Sequence, residues 1–383
     1  MLREVRSEGD AAIRRYTKLL DGVDLPEFKI SEAELAEARS SISTELESAL
    51  LLAAKRITDF HQATLPRNWV DLEQGLGEMV RPLERVGLYA PGGTAAYPST
   101  VLMTAIPARV AGVKEVILTT PRRGAEPLNP AVMAAAHIAG VDAVYQIGGV
   151  PAIAAMAYGT ESIAKVDKIC GPGNIFVAYA KKLVQGQVDI DGIFGPTETI
   201  VIADDTAQAS FCAADMIAQA EHDPLSTAIL VTDSSDLIDQ VELELELRLS
   251  TLEGRIVLVE DLDEAVELAN RIAPEHLCMM VADPWTWAGK VKNAGGLFLG
   301  EYSPEVMGDY IAGPSHVMPT GGTARFNSAL SVHHFMRTMP VVGLTPQTFR
   351  NLGEAAVQIA HVEGLTGHSG AIEVRLESLK ARA

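Results

Sequence analysis

Beyond Val80 the chain adopts a rhythm that few folds can satisfy: short β-rich runs alternate with helical stretches, and the whole series then occurs a second time. The residue pattern predicts strands at 86–89, 115–119, 143–147 and 165–169, with helices near 100–111, 130–139, 152–158 and 175–184. The second series predicts strands at 200–203, 228–232, 255–259, 277–281 and 296–299, with helices near 208–220, 235–249, 264–272 and 285–294. Strands separated by whole helices do not pair as hairpins. They line up in parallel, joined by right-handed crossovers. Two α/β units in tandem follow, with the active site expected in the cleft between them.

The flanks read differently. From Asp10 to about Leu20, apolar residues fall at helical spacing; Ser31 with Glu34 forms a capping-box pattern, and Thr44 with Glu47 a second, so helices are expected as far as Leu65-Pro66. From about Thr320 turns and short elements are expected, then a helix at 346–362 and an exposed tail. The resulting division is a helical segment over 1–80, a first α/β domain over 81–197, a second over 198–319, and a return segment with a tail over 320–383.

Composition narrows the function. A formal net charge of -19 repels nucleic acid and anionic membranes, and no Lys/Arg cluster offsets it. No apolar run is long enough to span a bilayer and Met1-Leu2-Arg3-Glu4 has no signal-peptide core, so a soluble cytoplasmic protein is expected. Cys170, Cys212 and Cys278 are too few and too scattered for a disulfide framework, which leaves any metal mainly N and O ligands.

Four stretches carry groups suited to chemistry. Gln219 and His222 stand three apart near a helix end, on one face, where they could share an ion; a histidine complementing the helix dipole is the plainer alternative. In Ala273-Pro274-Glu275-His276-Leu277, Pro274 ends a helix and presents a carboxylate beside an imidazole, a pairing suited to proton transfer or simply to a polar turn. The segment 308–316 reads as a polar, glycine-bearing loop holding Asp309, a hard oxygen donor, and His316. Glu363 and His368 lie close to the C-terminus. Glycine turns at Ala90-Pro91-Gly92-Gly93, Gly148-Gly149 and Gly171-Pro172-Gly173-Asn174 follow three strands of the first unit, where backbone N–H groups can approach a phosphate; none matches G-x-G-x-x-G.

Together with Tyr89, Gly195-Pro196-Thr197-Glu198, Gly308-Asp309-Tyr310 and Glu363-Gly364-Leu365-Thr366-Gly367-His368, these blocks run in one order along nearly the whole chain, which resembles the histidinol dehydrogenase family. The resemblance implies two tandem incomplete Rossmann-like units, akin to the aldehyde dehydrogenase architecture, with N-terminal helices and a C-terminal dimerisation extension in an intertwined homodimer. It implies oxidation of L-histidinol through L-histidinal to L-histidine with reduction of two NAD. Zinc would be held by Gln219, His222 and Asp309, with His368 arriving from the partner subunit. Glu275 and His276 would be the acid–base pair, Tyr89 and Asn174 would touch NAD, and Thr197, His276, His316, Glu363 and the metal ligands would line the substrate pocket. The sequence departs from the family at Pro151, where many members have Gln, and at Thr197, where others have Ser. Two other readings stand beside this one. The first is a related NAD-dependent dehydrogenase of another amino or sulfonated alcohol. The second is an aldehyde dehydrogenase using Cys170 as a thiolate nucleophile, since a glycine-rich turn follows it.

Overall fold

The structure is a computed structural model that describes every residue except 93–95, 125, 221–223, 249–253, 382 and 383. The chain folds as two compact units, Met1–Leu65 with Leu83–Phe335, and Pro66–Pro82 with Met336–Ala383.

Both predicted sheets form within the larger unit. The first has the order Lys29–Ile30, Ala143–Tyr145, Glu115–Thr119, Arg85–Tyr89, Lys168–Cys170, Asp189–Ile190; the short Lys29–Ile30 strand is antiparallel and the rest are parallel. Each crossover passes through a helix, Pro98–Val110, Pro130–Ile138, Gly149–Tyr158 or Ile175–Val184. Chain order therefore reverses direction between Arg85–Tyr89 and Lys168–Cys170, which is where doubly wound sheets open a crevice at their carboxyl edge. Gly171 starts the turn at that point with φ +115°, and a Cβ there would lie 2.1 Å from the Tyr89 carbonyl oxygen, so only glycine fits. The turn is clamped from below. Asp191 accepts a hydrogen bond from the Gly171 N–H at 2.6 Å, and Lys181, ion-paired with Asp191, donates to the Gly171 carbonyl at 2.9 Å.

The second sheet repeats the same winding, Arg255–Leu258, Thr227–Thr232, Glu198–Ala203, His276–Met280, Gly296–Leu299, all parallel. Its central strands are buried on both faces, as parallel sheets require. Val201, Ala203, Cys278 and Met280 pack beneath the helix Ala209–Ala220, while Ile200, Ile202, Leu277 and Met279 pack against Leu262–Ile272 on the other face. Period-two alternation then puts Thr199 and His276 on the face covered by Ala209–Ala220, and the register pairs them as neighbours across the strands.

The N-terminal helices Asp10–Leu20, Glu32–Ser41 and Thr44–Ala63 form as expected, and the Ser31–Glu34 capping box is complete. The second cap is Ser43, not Thr44: its hydroxyl accepts the Leu46 N–H and Thr44 is the first helical residue. Helix Pro284–Ala288 is shorter than the expected 285–294 because Gly289 ends it. In the smaller unit, Met336–Val342, Leu76–Pro82 and Trp69–Asp71 form an antiparallel sheet that the sequence reading lacked. Gly77, Pro82 and Pro340 weaken the strand signal there. The expected C-terminal tail is instead a helix, Thr366–Ala381, packed against Pro346–Val362; Gly364 at φ +72° breaks the chain between them. No described helix is long and apolar enough to cross a membrane.

Candidate active site

The site is built on the amino ends of two adjacent strands of the second sheet, Glu198–Ala203 and His276–Met280. Helix Leu262–Ile272 stops at Ala273, which takes the left-handed conformation with φ 57°, the one positive φ outside glycine among the described residues. A strained residue directly before Pro274 turns the chain sharply, so that Glu275 and His276 enter the sheet already buried, 7% and 4% exposed.

Glu275 is tied down at once. Its Oε2 accepts hydrogen bonds from the Thr197 hydroxyl and, at 3.3 Å, from the Glu198 N–H. Burial nevertheless pushes its pKa up to about 8; those two donors oppose the rise, and the nearby charges of Asp309 and Glu198 add to it. The His276 ring stands among carboxyl groups: Nδ1 is 3.9 Å from both Glu275 Oε2 and Glu305 Oε2, and Nε2 is 3.9 Å from Asp309 Oδ1. One face of the ring meets Phe298 at a centroid distance of 5.8 Å.

Glu305 escaped the sequence reading, because a lone Glu opening a short segment carries no motif. It begins the helix Glu305–Tyr310, is 2% exposed, and accepts a hydrogen bond from the Thr199 hydroxyl. Burial pushes its pKa up to about 8 as well, and the Asp309, Asp215 and Glu275 charges push the same way. Asp215, on the helix Ala209–Ala220, is pushed up to about 6 by burial. A buried carboxylate beside a motif histidine is the signal that could have found this residue, and it is visible only after folding.

Asp309 lies in the last turn of Glu305–Tyr310, not in the loop expected at 308–316; Gly308 disguised the helix but is needed, since a Cβ there would lie 2.7 Å from Phe298 Cε1. His316 holds this helix end: its Nδ1–H donates to the Asp309 carbonyl at 2.9 Å, which leaves Nε2 to accept from the Thr100 hydroxyl at 3.2 Å. Thr100 opens the crossover helix that follows Arg85–Tyr89, so this chain of contacts joins the carboxyl side of the first sheet to the amino side of the second.

The remaining candidates belong to elements apart from this cluster or fall outside the described residues. Tyr89 and Asn174 sit at the carboxyl edge of the first sheet. The Tyr89 hydroxyl accepts the Gly149 N–H at 3.1 Å, and exposed Asn174 caps the helix Ile175–Val184 through the N–H groups of Phe176 and Val177. Pro151 is buried in the first turn of Gly149–Tyr158, where a missing N–H breaks no helical bond. Glu363 and His368 belong to the smaller unit, both exposed, one closing the helix Pro346–Val362 and the other in the first turn of Thr366–Ala381. His222 lies outside the described residues. Cys170 is 0% exposed, and burial raises its thiol well above the usual range, so it offers no thiolate; all three cysteines are buried and unpaired.

The donor set suits a divalent cation. Gln219, 1% exposed in the last turn of Ala209–Ala220, has an amide whose outer edge meets no partner among the described residues; a flip of the amide puts its oxygen, the atom able to ligate a metal, on that edge, and its helix packs against the one bearing Asp309. Glu275, Glu305, Asp309 and Asp215 repel one another unless protons or a cation intervene. Among the described residues, no three His, Cys, Asp or Glu form a metal cluster; Gln219 is not of those types.

The family described as histidinol dehydrogenase matches residues 1–376. A histidinol dehydrogenase from Moorella thermoacetica is 48% identical over 394 residues, covering 98% of this chain and 93% of its own. One from Bacillus cereus is 46% identical over 396 residues, covering 99% and 92%. The crystal structure of histidinol dehydrogenase from Elizabethkingia anophelis superposes with a TM-score of 0.96 at 36% identity, over 99% of this chain and 91% of that one.

Proposed function

Because the chain belongs to the histidinol dehydrogenase family of oxidoreductases, we propose that it oxidises L-histidinol through L-histidinal to L-histidine in histidine biosynthesis, reducing two NAD in succession. The observation that carries this reading is the buried Glu275–His276 pair, with Thr197 bonded to one member and Asp309 facing the other. An alcohol becomes a carboxylic acid only by two hydride losses with a hydration between them, which calls for one reusable base and one group that activates water. His276, with Nε2 toward Asp309, takes the alcohol proton as hydride leaves the carbinol carbon. Glu275 then deprotonates the water that adds to the aldehyde while His276 returns its proton to the former aldehyde oxygen, and the neutral His276 serves again for the second oxidation. Thr197 keeps the Glu275 carboxyl in register throughout.

Zinc, when bound, would fix the amino and imidazole groups of the substrate, and NAD would accept the hydride. Gln219, His222 and Asp309 would hold the metal together with His368 of the partner subunit in a homodimer, and Tyr89 and Asn174 would lie beside NAD. His316 orients Asp309 through its backbone, and Glu363 would line the substrate pocket. Closing the aldehyde inside the site protects it from solvent. The buried thiol of Cys170 argues against the aldehyde dehydrogenase alternative. The test is NADH formation by the zinc-loaded protein with L-histidinol against a panel of amino and sulfonated alcohols. Turnover of L-histidinol above every other alcohol supports the reading, and preference for another alcohol moves the protein to a different substrate within its family.

A further inference from the structure

The imidazole of His276 has nearly the same outline after a half-turn about its Cβ–Cγ bond. Packing against Phe298 therefore cannot decide which nitrogen faces the substrate. Something on the ring's edge has to. Two carboxyl groups reach the Nδ1 edge at the same 3.9 Å, Glu275 and Glu305. They differ in what else they are free to do. The Glu275 side chain is 10% exposed and sits on a residue assigned to work on water, whereas the Glu305 side chain is 2% exposed and its Oε2 is already bound by the Thr199 hydroxyl. Thr199 is the register partner of His276 across the parallel strands, so the hydroxyl, the carboxyl and the ring belong to one rigid patch of sheet. A buried carboxyl group that water does not reach is poorly suited to activating water and well suited to holding a ring.

We propose that Glu305, fixed by Thr199, is the positioning residue of the His276 imidazole: it takes the Nδ1–H and leaves the Nε2 lone pair facing Asp309 and the reacting alcohol. At 3.9 Å the two groups lie just beyond hydrogen-bond length, and catalytic hydrogen bonds of this kind tighten in the reacting complex. The inference rests on the two-step oxidation assigned above, in which both steps use His276 and only the second uses Glu275. Glu305 therefore matters equally to both steps. A residue that merely stabilised the fold would lower the amount of folded protein or its metal content without touching the turnover of what remains.

The experiment measures kcat and KM separately for L-histidinol and L-histidinal on zinc-loaded protein, with metal content and melting temperature recorded for each variant. Glu305→Gln is expected to lower kcat about tenfold to a hundredfold with both substrates, the range for losing a partner that orients a catalytic imidazole, with KM within about twofold. Thr199→Val should lower both in the same proportion but less, and Thr199→Ser, which restores the hydroxyl, should recover most of that loss. Wild-type turnover of L-histidinol with unaffected Glu305→Gln overturns this inference alone; absence of wild-type turnover overturns the two-step reading instead. Damage by Glu305→Gln confined to L-histidinal also overturns it, since that pattern belongs to Glu275. If Glu305→Gln does not fold, the Thr199 pair decides, and equal kcat in the Val and Ser variants overturns the proposal.

Discussion

Glu275 and His276 are adjacent in sequence, yet the proposed mechanism gives them different work. Burial raises the Glu275 pKa to about 8, which brings its titration close to neutral pH. Glu275→Gln should accordingly spare oxidation of L-histidinol and impair oxidation of L-histidinal, whereas His276→Asn impairs both; rapid-mixing traces with each substrate check this, and equal damage to both steps by Glu275→Gln contradicts it. A second titration lies in the N-terminal scaffold. His61 is 0% exposed in the helix Thr44–Ala63, neither ring nitrogen has a hydrogen-bond partner among the described residues, and burial lowers its pKa from 6.5 to about 4. The unfolded chain binds this proton more readily than the folded one. The stability held above pH 6.5 is therefore lost as pH falls toward 4, by up to about 3 kcal/mol for a shift of this size. His61→Leu keeps the volume and removes the proton, so its melting temperature should fall less than that of the parent between pH 7 and pH 4.5. Parallel slopes would contradict the assignment.

Elements differ in how openly the sequence declares them. The second sheet was legible because its strands are bounded by helices with clear starts and stops, and its central runs are apolar on both faces, as in Ile200, Val201 and Ile202. The antiparallel sheet of Met336–Val342 and Leu76–Pro82 was not, because Pro340 faces Glu78 in a register that only the folded chain supplies. The helix Thr366–Ala381 hid for a similar reason: only Ser369 and Leu376 of it are buried, Leu376 lying so close to Gly353 that a Cβ there would be 2.8 Å from Leu376 Cδ2, and two buried positions leave no periodic stripe. The site shows the same split. Glu275 and His276 advertise themselves as a motif, while Glu305 becomes relevant only once its short helix lays it beside His276. That helix supplies a test at this scale. Gly308→Ala drives a methyl into Phe298, whose ring rests on His276, and overpacking of this kind costs about 1–3 kcal/mol. Melting should shift down and kcat should fall with it; full activity and unchanged melting would show that Phe298 does not hold the ring.

At the scale of the whole molecule, the strongly acidic chain encloses a cluster of buried carboxyl groups that only protons or a cation can relieve. In the proposed zinc site, Gln219, His222 and Asp309 of one chain would supply three of four ligands, and His368 of the partner subunit would supply the fourth. Mixing His368→Ala with Asp309→Ala subunits tests this, because one site in each mixed dimer keeps both groups. Random pairing should restore about a quarter of parental activity, and verified mixed dimers without activity would contradict sharing. The claim that matters most is that one active site performs both oxidations without releasing the aldehyde. Exhaustive oxidation of a known amount of L-histidinol, with an aldehyde trap in solution, tests it most directly. The account predicts two NADH per L-histidinol and nothing in the trap; one NADH per L-histidinol, with the aldehyde recovered in the trap, would contradict it.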